Sequence, residues 1–188
     1  ADYSVAVVAG VDRNGDIYIV DIIRGKYDFP ELKARMIRLN NQWRGKGLRG
    51  LYIEDKASGQ SLIQELKRES GISVIPYKVN NDKVARVNSI LPLIEGGRVY
   101  IPEESSWLDE FIDESISFPN GNHDDQVDAL TIAVDVLSRT SVSPDAWEMH
   151  SNPMLSLNNN QKDMGKSLTE QVWGKKAKGS WKGWGLVE

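Results

Sequence analysis

In residues 121–137 (GNHDDQVDALTIAVDVL) three aspartates, Asp124, Asp125 and Asp128, crowd into the start of an otherwise largely apolar helical pattern. A single aspartate would suffice to cap that helix; three in one turn suggest a cation. Metal-assisted phosphodiester hydrolysis uses carboxylates from separate elements around two hard cations roughly 3.5–4 Å apart, which activate a water and stabilise the leaving oxygen. Glu54 is the other candidate, because it follows the apolar run Leu51-Tyr52-Ile53 at the end of a strand, and open α/β sheets bind ligands beyond the carboxyl ends of their strands. Each acid also has a plain reading. Asp124 can cap the helix, Asp125 can complement its dipole, and Glu54 can simply leave the sheet for solvent. The plain reading is weakest for Asp128, which shares a face with Asp124 and Asp125 and borders the stripe Val127, Leu130, Val134, Leu137. An acid beside a buried stripe is costly unless paired. His123 reads as a loop residue, with ligand or substrate contact as alternatives. Lys56, Lys83 and Arg86 are candidate phosphate contacts or partners of nearby acids, although on charge alone the solvated-face reading wins for all three.

Composition narrows the metal. The chain of 188 residues has no cysteine and two histidines, so thiolate sites are excluded and a histidine-rich zinc site is disfavoured. Oxygen donors favour magnesium, manganese or calcium. The formal net charge of -4 does not advertise nucleic-acid binding, which would depend on local patches. No apolar run is long enough to span a membrane, and the first residues do not read as a signal peptide.

The elements that must position these acids follow from periodicity. YSVAVVAGVD and IYIVDIIRG are strand-like runs joined at Asn14-Gly15, a hairpin signal. Helical spacing follows in DFPELKARMIRLNNQW, then a strand in LRGLYIED, a helix in SGQSLIQELKRESG with Ser58 as a candidate cap, and a strand in ISVIPYKV. A helix in DKVARVNSILPLIEGG, with Pro92 a candidate kink, leads to the short strand RVYIP, the helix SWLDEFIDESISF and the final acidic helix. The order β-β-α-β-α-β-α-β-α-α predicts a mixed sheet, an antiparallel hairpin followed by parallel strands, with helices on both faces. Residues 1–140 read as this domain. Residues 141–188, rich in Ser, Asn, Gly and Lys, read as a tail with a candidate short helix at 167–173.

LYIEDKASGQ, NDKVARVNSILPLIEGGRVYIP and FPNGNHDDQVDALTIAV, in that order, resemble the nuclease domain of tailed-phage and prophage terminase large subunits. The resemblance extends from Asp2 to about Leu137. It implies an RNase H-like (RuvC-like) fold and a Mg²⁺- or Mn²⁺-dependent endonuclease that cuts concatemeric viral DNA during genome packaging in the host cytoplasm. Glu54 matches the family's strand-end acid, and Asp124, Asp125 and Asp128 match its late-helix acids. Similarity to resolvases favours Asp125 and Asp128. The resemblance places the family's first acid on a strand preceding DYSV, before Ala1, so one strand and one carboxylate of the pattern are expected to be missing from this sequence; Asp2 is the weakest candidate substitute. The resemblance also implies an ATPase domain N-terminal to this chain, and portal and small terminase subunit as partners. MGKS at 164–167 lacks the upstream glycine of a P-loop.

Residues 173–188 hold four lysines and one glutamate, and Trp173, Trp181 and Trp184 interleave with Lys175, Lys176 and their neighbours. Such a mixture reads as an exposed tail, a nucleic-acid contact or, as the resemblance favours, a portal-docking segment. Two other functions fit the same residues: a RuvC-like junction resolvase, and a non-catalytic DNA- or portal-binding module.

Overall fold

The computed structural model describes residues 3–69 and 71–140. The ten elements occur in the expected order: β1 (Ser4–Val11), β2 (Ile17–Gly25), α1 (Phe29–Arg44), β3 (Leu51–Glu54), α2 (Ala57–Arg68), β4 (Val74–Tyr77), α3 (Lys83–Glu95), β5 (Val99–Tyr100), α4 (Leu108–Ser117) and α5 (Asp125–Ser138). β1 and β2 form the antiparallel hairpin, and β5 joins β2 in parallel. β3 and β4 form a separate parallel pair. The strands therefore lie in two hydrogen-bonded groups among the described residues, because β1 and β3 pair on one side only.

The hairpin turn is built by its own side chains. The Asp12 carboxylate accepts hydrogen bonds from the backbone N–H of Asn14 (2.9 Å) and Asp16 (2.8 Å). Gly15 takes φ +81°, a left-handed conformation that glycine adopts without steric cost. One irregularity matters for the core. The register slips between Val8 and Ala9, leaving Val20 of β2 as an extra, exposed residue. Strict alternation from Ile17 and Ile19 would turn Asp21 into the core; the bulge resets the phase so that Ile22 is buried instead.

β1 is apolar on both faces, and helices cover both. Ala6 and Val8 pack with Met36 and Leu39 of α1, Leu51 of β3, and Leu62 and Leu66 of α2. Val5, Val7 and Ala9 pack against the cluster of Ile17, Ile19, Ile90, Phe111, Leu130 and Val134. A strand covered on both faces needs apolar residues throughout, which explains why SVAVVAGV lacks the polar alternation of a half-exposed strand. Helix α3 runs through Pro92, which sits in its last turn, and ends at Gly96 and Gly97. It packs on α5 through Val87, Leu91 and Val127, with Phe118 completing the cluster. This contact places the basic start of α3 beside the acidic start of α5.

Candidate metal and nucleic-acid site

α5 begins at Asp125 with Asp124 as its N-cap residue, but the Asp124 side chain makes no capping hydrogen bond. The carboxylate of Glu114, on α4, performs that task from outside. Its Oε1 accepts from the Gln126 backbone N–H at 2.6 Å and its Oε2 from the Gln126 side-chain amide at 2.7 Å. Glu114 is only 8% exposed, and Arg24 Nε stands 3.8 Å from Oε2. Arg24 also pairs with Glu110 and lies over the Tyr3 ring, which meets His123 edge-on at 5.2 Å between ring centroids. The orphan N–H groups of a helix start must find acceptors. Because Glu114 supplies one, the Asp124 carboxylate is released for other contacts.

Those contacts are with α3. Asp82 caps α3 by accepting from the Ala85 N–H at 2.9 Å, which fixes its first turn. From that turn Lys83 Nζ reaches Asp124 Oδ1 at 2.6 Å and Asp128 Oδ2 at 2.8 Å. One turn on, Arg86 NH2 donates to Asp128 Oδ1 at 2.5 Å and its NH1 to the Asn81 carbonyl at 2.9 Å. Asp128 therefore meets the cost of its half-buried position with two cations. Burial opposes the charged form of Lys83, but its hydrogen bonds to Asp124 and Asp128 overcome this and raise its pKa above 10.5. Asp125 is shifted as well. Burial, then the negative charges of Glu114 and Asp124, raise its carboxyl above the usual 3.8, with Lys83 and His123 opposing.

Glu54 ends β3 directly opposite Tyr77 of β4, and Tyr77 reaches α5 through a 2.8 Å hydrogen bond from its hydroxyl to Asp135. Lys56 Nζ lies 2.7 Å from Glu54 Oε1. The DKASG segment has a steric role here. A Cβ on Gly59 would lie 2.0 Å from the Glu54 carbonyl oxygen, so only glycine lets the first turn of α2 close over this strand end. That helix begins after Lys56 rather than being capped at residue 58.

The donors present are the hard oxygens that suit magnesium or manganese. Asp124 and Asp128 converge on one cation position, where the Lys83 ammonium sits. No three described His, Asp or Glu side chains gather closely enough to hold an ion among themselves. The described acids thus supply two carboxylates to one cation position at the start of α5, filled here by Lys83, and Glu54 stands outside that pair. Asp2, together with Trp173, Lys175, Lys176, Trp181, Trp184 and the candidate helix at 167–173, lies outside the described residues.

Residues 1–136 match the family model described as the terminase RNase H-like domain. The chain belongs to this family. The mixed strands with helices on both faces are the RNase H-like fold that the motifs led one to expect. Comparison with curated proteins gave no match. Among the residues that build the site in this terminase domain, Glu114 and Arg24 were not singled out from the sequence. A signal existed for Glu114: it lies three residues after Phe111 and six after Leu108, on the face that α4 buries, where an acid requires partners.

Proposed function

We propose that this terminase RNase H-like domain is a Mg²⁺- or Mn²⁺-dependent endodeoxyribonuclease that cuts concatemeric viral DNA during packaging in the host cytoplasm. The observation that carries the reading is the convergence of Asp124 and Asp128 on one cation position at the start of α5, in a chain of this family. Asp124 and Asp128 would hold the metal between them; Asp125, next to them on α5, and Glu54, which stands outside that pair here, would have to draw in when metal and DNA bind. A divalent cation bound there supplies a more acidic water and charge neutralisation at the scissile phosphate. The chain's own groups do the positioning. Glu114 anchors the start of α5, Gly59 lets α2 close against the end of β3, and Lys83, Arg86 and Lys56 exchange carboxylate partners for phosphate oxygens when DNA enters. Contacts of that kind carry no base information, so cleavage has little sequence preference. An ATPase domain N-terminal to this chain, the portal and the small terminase subunit are the proposed partners, with the tryptophan-lysine tail as the portal-docking segment.

The test is cleavage of supercoiled plasmid with Mg²⁺, with Mn²⁺ and with EDTA. Metal-dependent nicking that is lost in Glu54→Ala and Asp125→Ala supports the reading; wild-type rates in both variants refute it. The absence of a three-acid group among the described residues favours one alternative, a non-catalytic DNA- or portal-binding module, which would bind DNA in the same assay without nicking it under any metal condition.

A further inference from the structure

A polar cleft of about 120 Å³ lies between the end of β4, the loop before α3, α3 itself and the side of α5 that carries Thr131 and Asp135. Lys78, Asn80, Asn81, Arg86, Ser89 and Arg139 line it. Its only carboxylate among the described residues is Asp135, whose charge is already engaged by the Tyr77 hydroxyl at 2.8 Å and by Arg139 at 2.6 Å. Of its three cationic side chains, Arg139 is paired with Asp135 and Arg86 with Asp128, which leaves the charge of Lys78 uncompensated within the cleft. Lys78 is exposed and has no ion pair among the described residues. Arg86 is 8% exposed, and its Nε is buried with no hydrogen-bond partner even though both its terminal nitrogens are engaged. A buried guanidinium N–H without an acceptor is costly, and a polar cleft lined by cationic side chains suits phosphate oxygens.

We propose that this cleft is a subsite for a backbone phosphate of the DNA strand, next to the acids but separate from them. The inference rests on the nuclease reading and extends it by assigning a path to the substrate. Arg86 is the link, since it lines the cleft and holds Asp128 as well. Along α5, Asp128 and Asp135 are separated by two turns, ~10 Å at 1.5 Å per residue. A phosphate seated here therefore fixes the strand about that far from Asp128. Lys78 and Arg139 serve as phosphate contacts and do not take part in the chemistry.

The experiment measures fluorescence anisotropy of a short labelled DNA duplex with the full chain in EDTA, as a function of salt, with inorganic phosphate as competitor. Wild type is compared with Lys78→Gln/Arg139→Gln and with Lys67→Gln/Arg68→Gln, an equal charge change on the exposed part of α2. The expected result is roughly a tenfold loss of affinity in the cleft variant alone, with a salt slope shallower by about 0.9 for each phosphate that is no longer neutralised. An unchanged affinity and slope in the cleft variant overturns the subsite; if the wild type still nicks plasmid with Mg²⁺, the nuclease reading stands. A wild type that neither binds duplex nor nicks plasmid overturns both. Competition by inorganic phosphate that is abolished in the cleft variant, with DNA affinity unaltered, identifies a free-anion site and overturns the assignment to DNA.

Discussion

Glu114 should be the residue whose loss most disturbs the candidate site without touching a proposed ligand. Its two oxygens accept from the Gln126 backbone and side-chain N–H groups at 2.6 and 2.7 Å, and both Glu114 and Gln126 are buried. Hydrogen bonds to a charged group contribute ~1.5–3 kcal/mol each, and breaking a buried charged network costs about 3–5 kcal/mol. Glu114→Ala should therefore cost ~3–5 kcal/mol, a large part of the ~5–15 kcal/mol available to a domain. With a urea m-value of about 2 kcal/mol/M, the unfolding midpoint should fall by roughly 1.5–2.5 M. Glu114→Gln retains an acceptor for one of the two donors and should cost about half as much. The second readout is electrostatic. The charge of Glu114 is one of the causes that raise the Asp125 carboxyl, so in Glu114→Gln the NMR titration of Asp125 should move down towards 3.8. A midpoint shift below ~0.5 M in Glu114→Ala, or an Asp125 titration that does not move in Glu114→Gln, would refute the anchoring role.

Other outcomes follow from the same geometry. Gly59→Ala should lower the melting temperature even though alanine favours helix by ~1 kcal/mol, because its Cβ meets the Glu54 backbone oxygen; a raised melting temperature would contradict the close approach. Asp125 has a folded pKa above its unfolded value, so its contribution to stability is full below about 3.8 and is lost as pH rises through the folded pKa. Asp125→Asn should consequently melt higher than wild type at neutral pH, with the difference disappearing below pH 3.8 in paired thermal scans; a variant less stable at neutral pH would reverse the sign and exclude the argument.

The order of elements was legible because each carries its own local signal. Asn14-Gly15 marks the hairpin, Leu32, Met36, Leu39 and Trp43 share one face of α1, and Gly96-Gly97 ends α3; the caps that Asp28 and Asp82 place on α1 and α3 were not read from the sequence. Of the stripe Val127, Leu130, Val134 and Leu137, the first three are buried and Leu137 is half-buried. What the sequence could not supply are contacts between elements far apart in the chain. Asp124 has the ideal residue type for a side-chain cap, yet Glu114 takes the Gln126 N–H and Asp124 turns to Lys83. Lys83 and Arg86 were equally readable as solvated cations until α3 was placed against α5. The bulge at Val20 was also invisible, since an extra residue between two isoleucine-rich stretches leaves no compositional trace. The two-group arrangement of the strands was hidden for a similar reason: edge pairing depends on placement, and both β1 and β3 have the apolar content of interior strands.

If a divalent cation binds where α5 begins, in the position taken by Lys83, paramagnetic broadening of amide resonances by Mn²⁺ will reveal it most directly. Substoichiometric Mn²⁺ should broaden residues 124–128 first, together with 53–55 and the first turn of α3, and Asp128→Asn should remove the effect. Uniform broadening, or broadening centred elsewhere such as the Asp12–Asp16 turn, would contradict it.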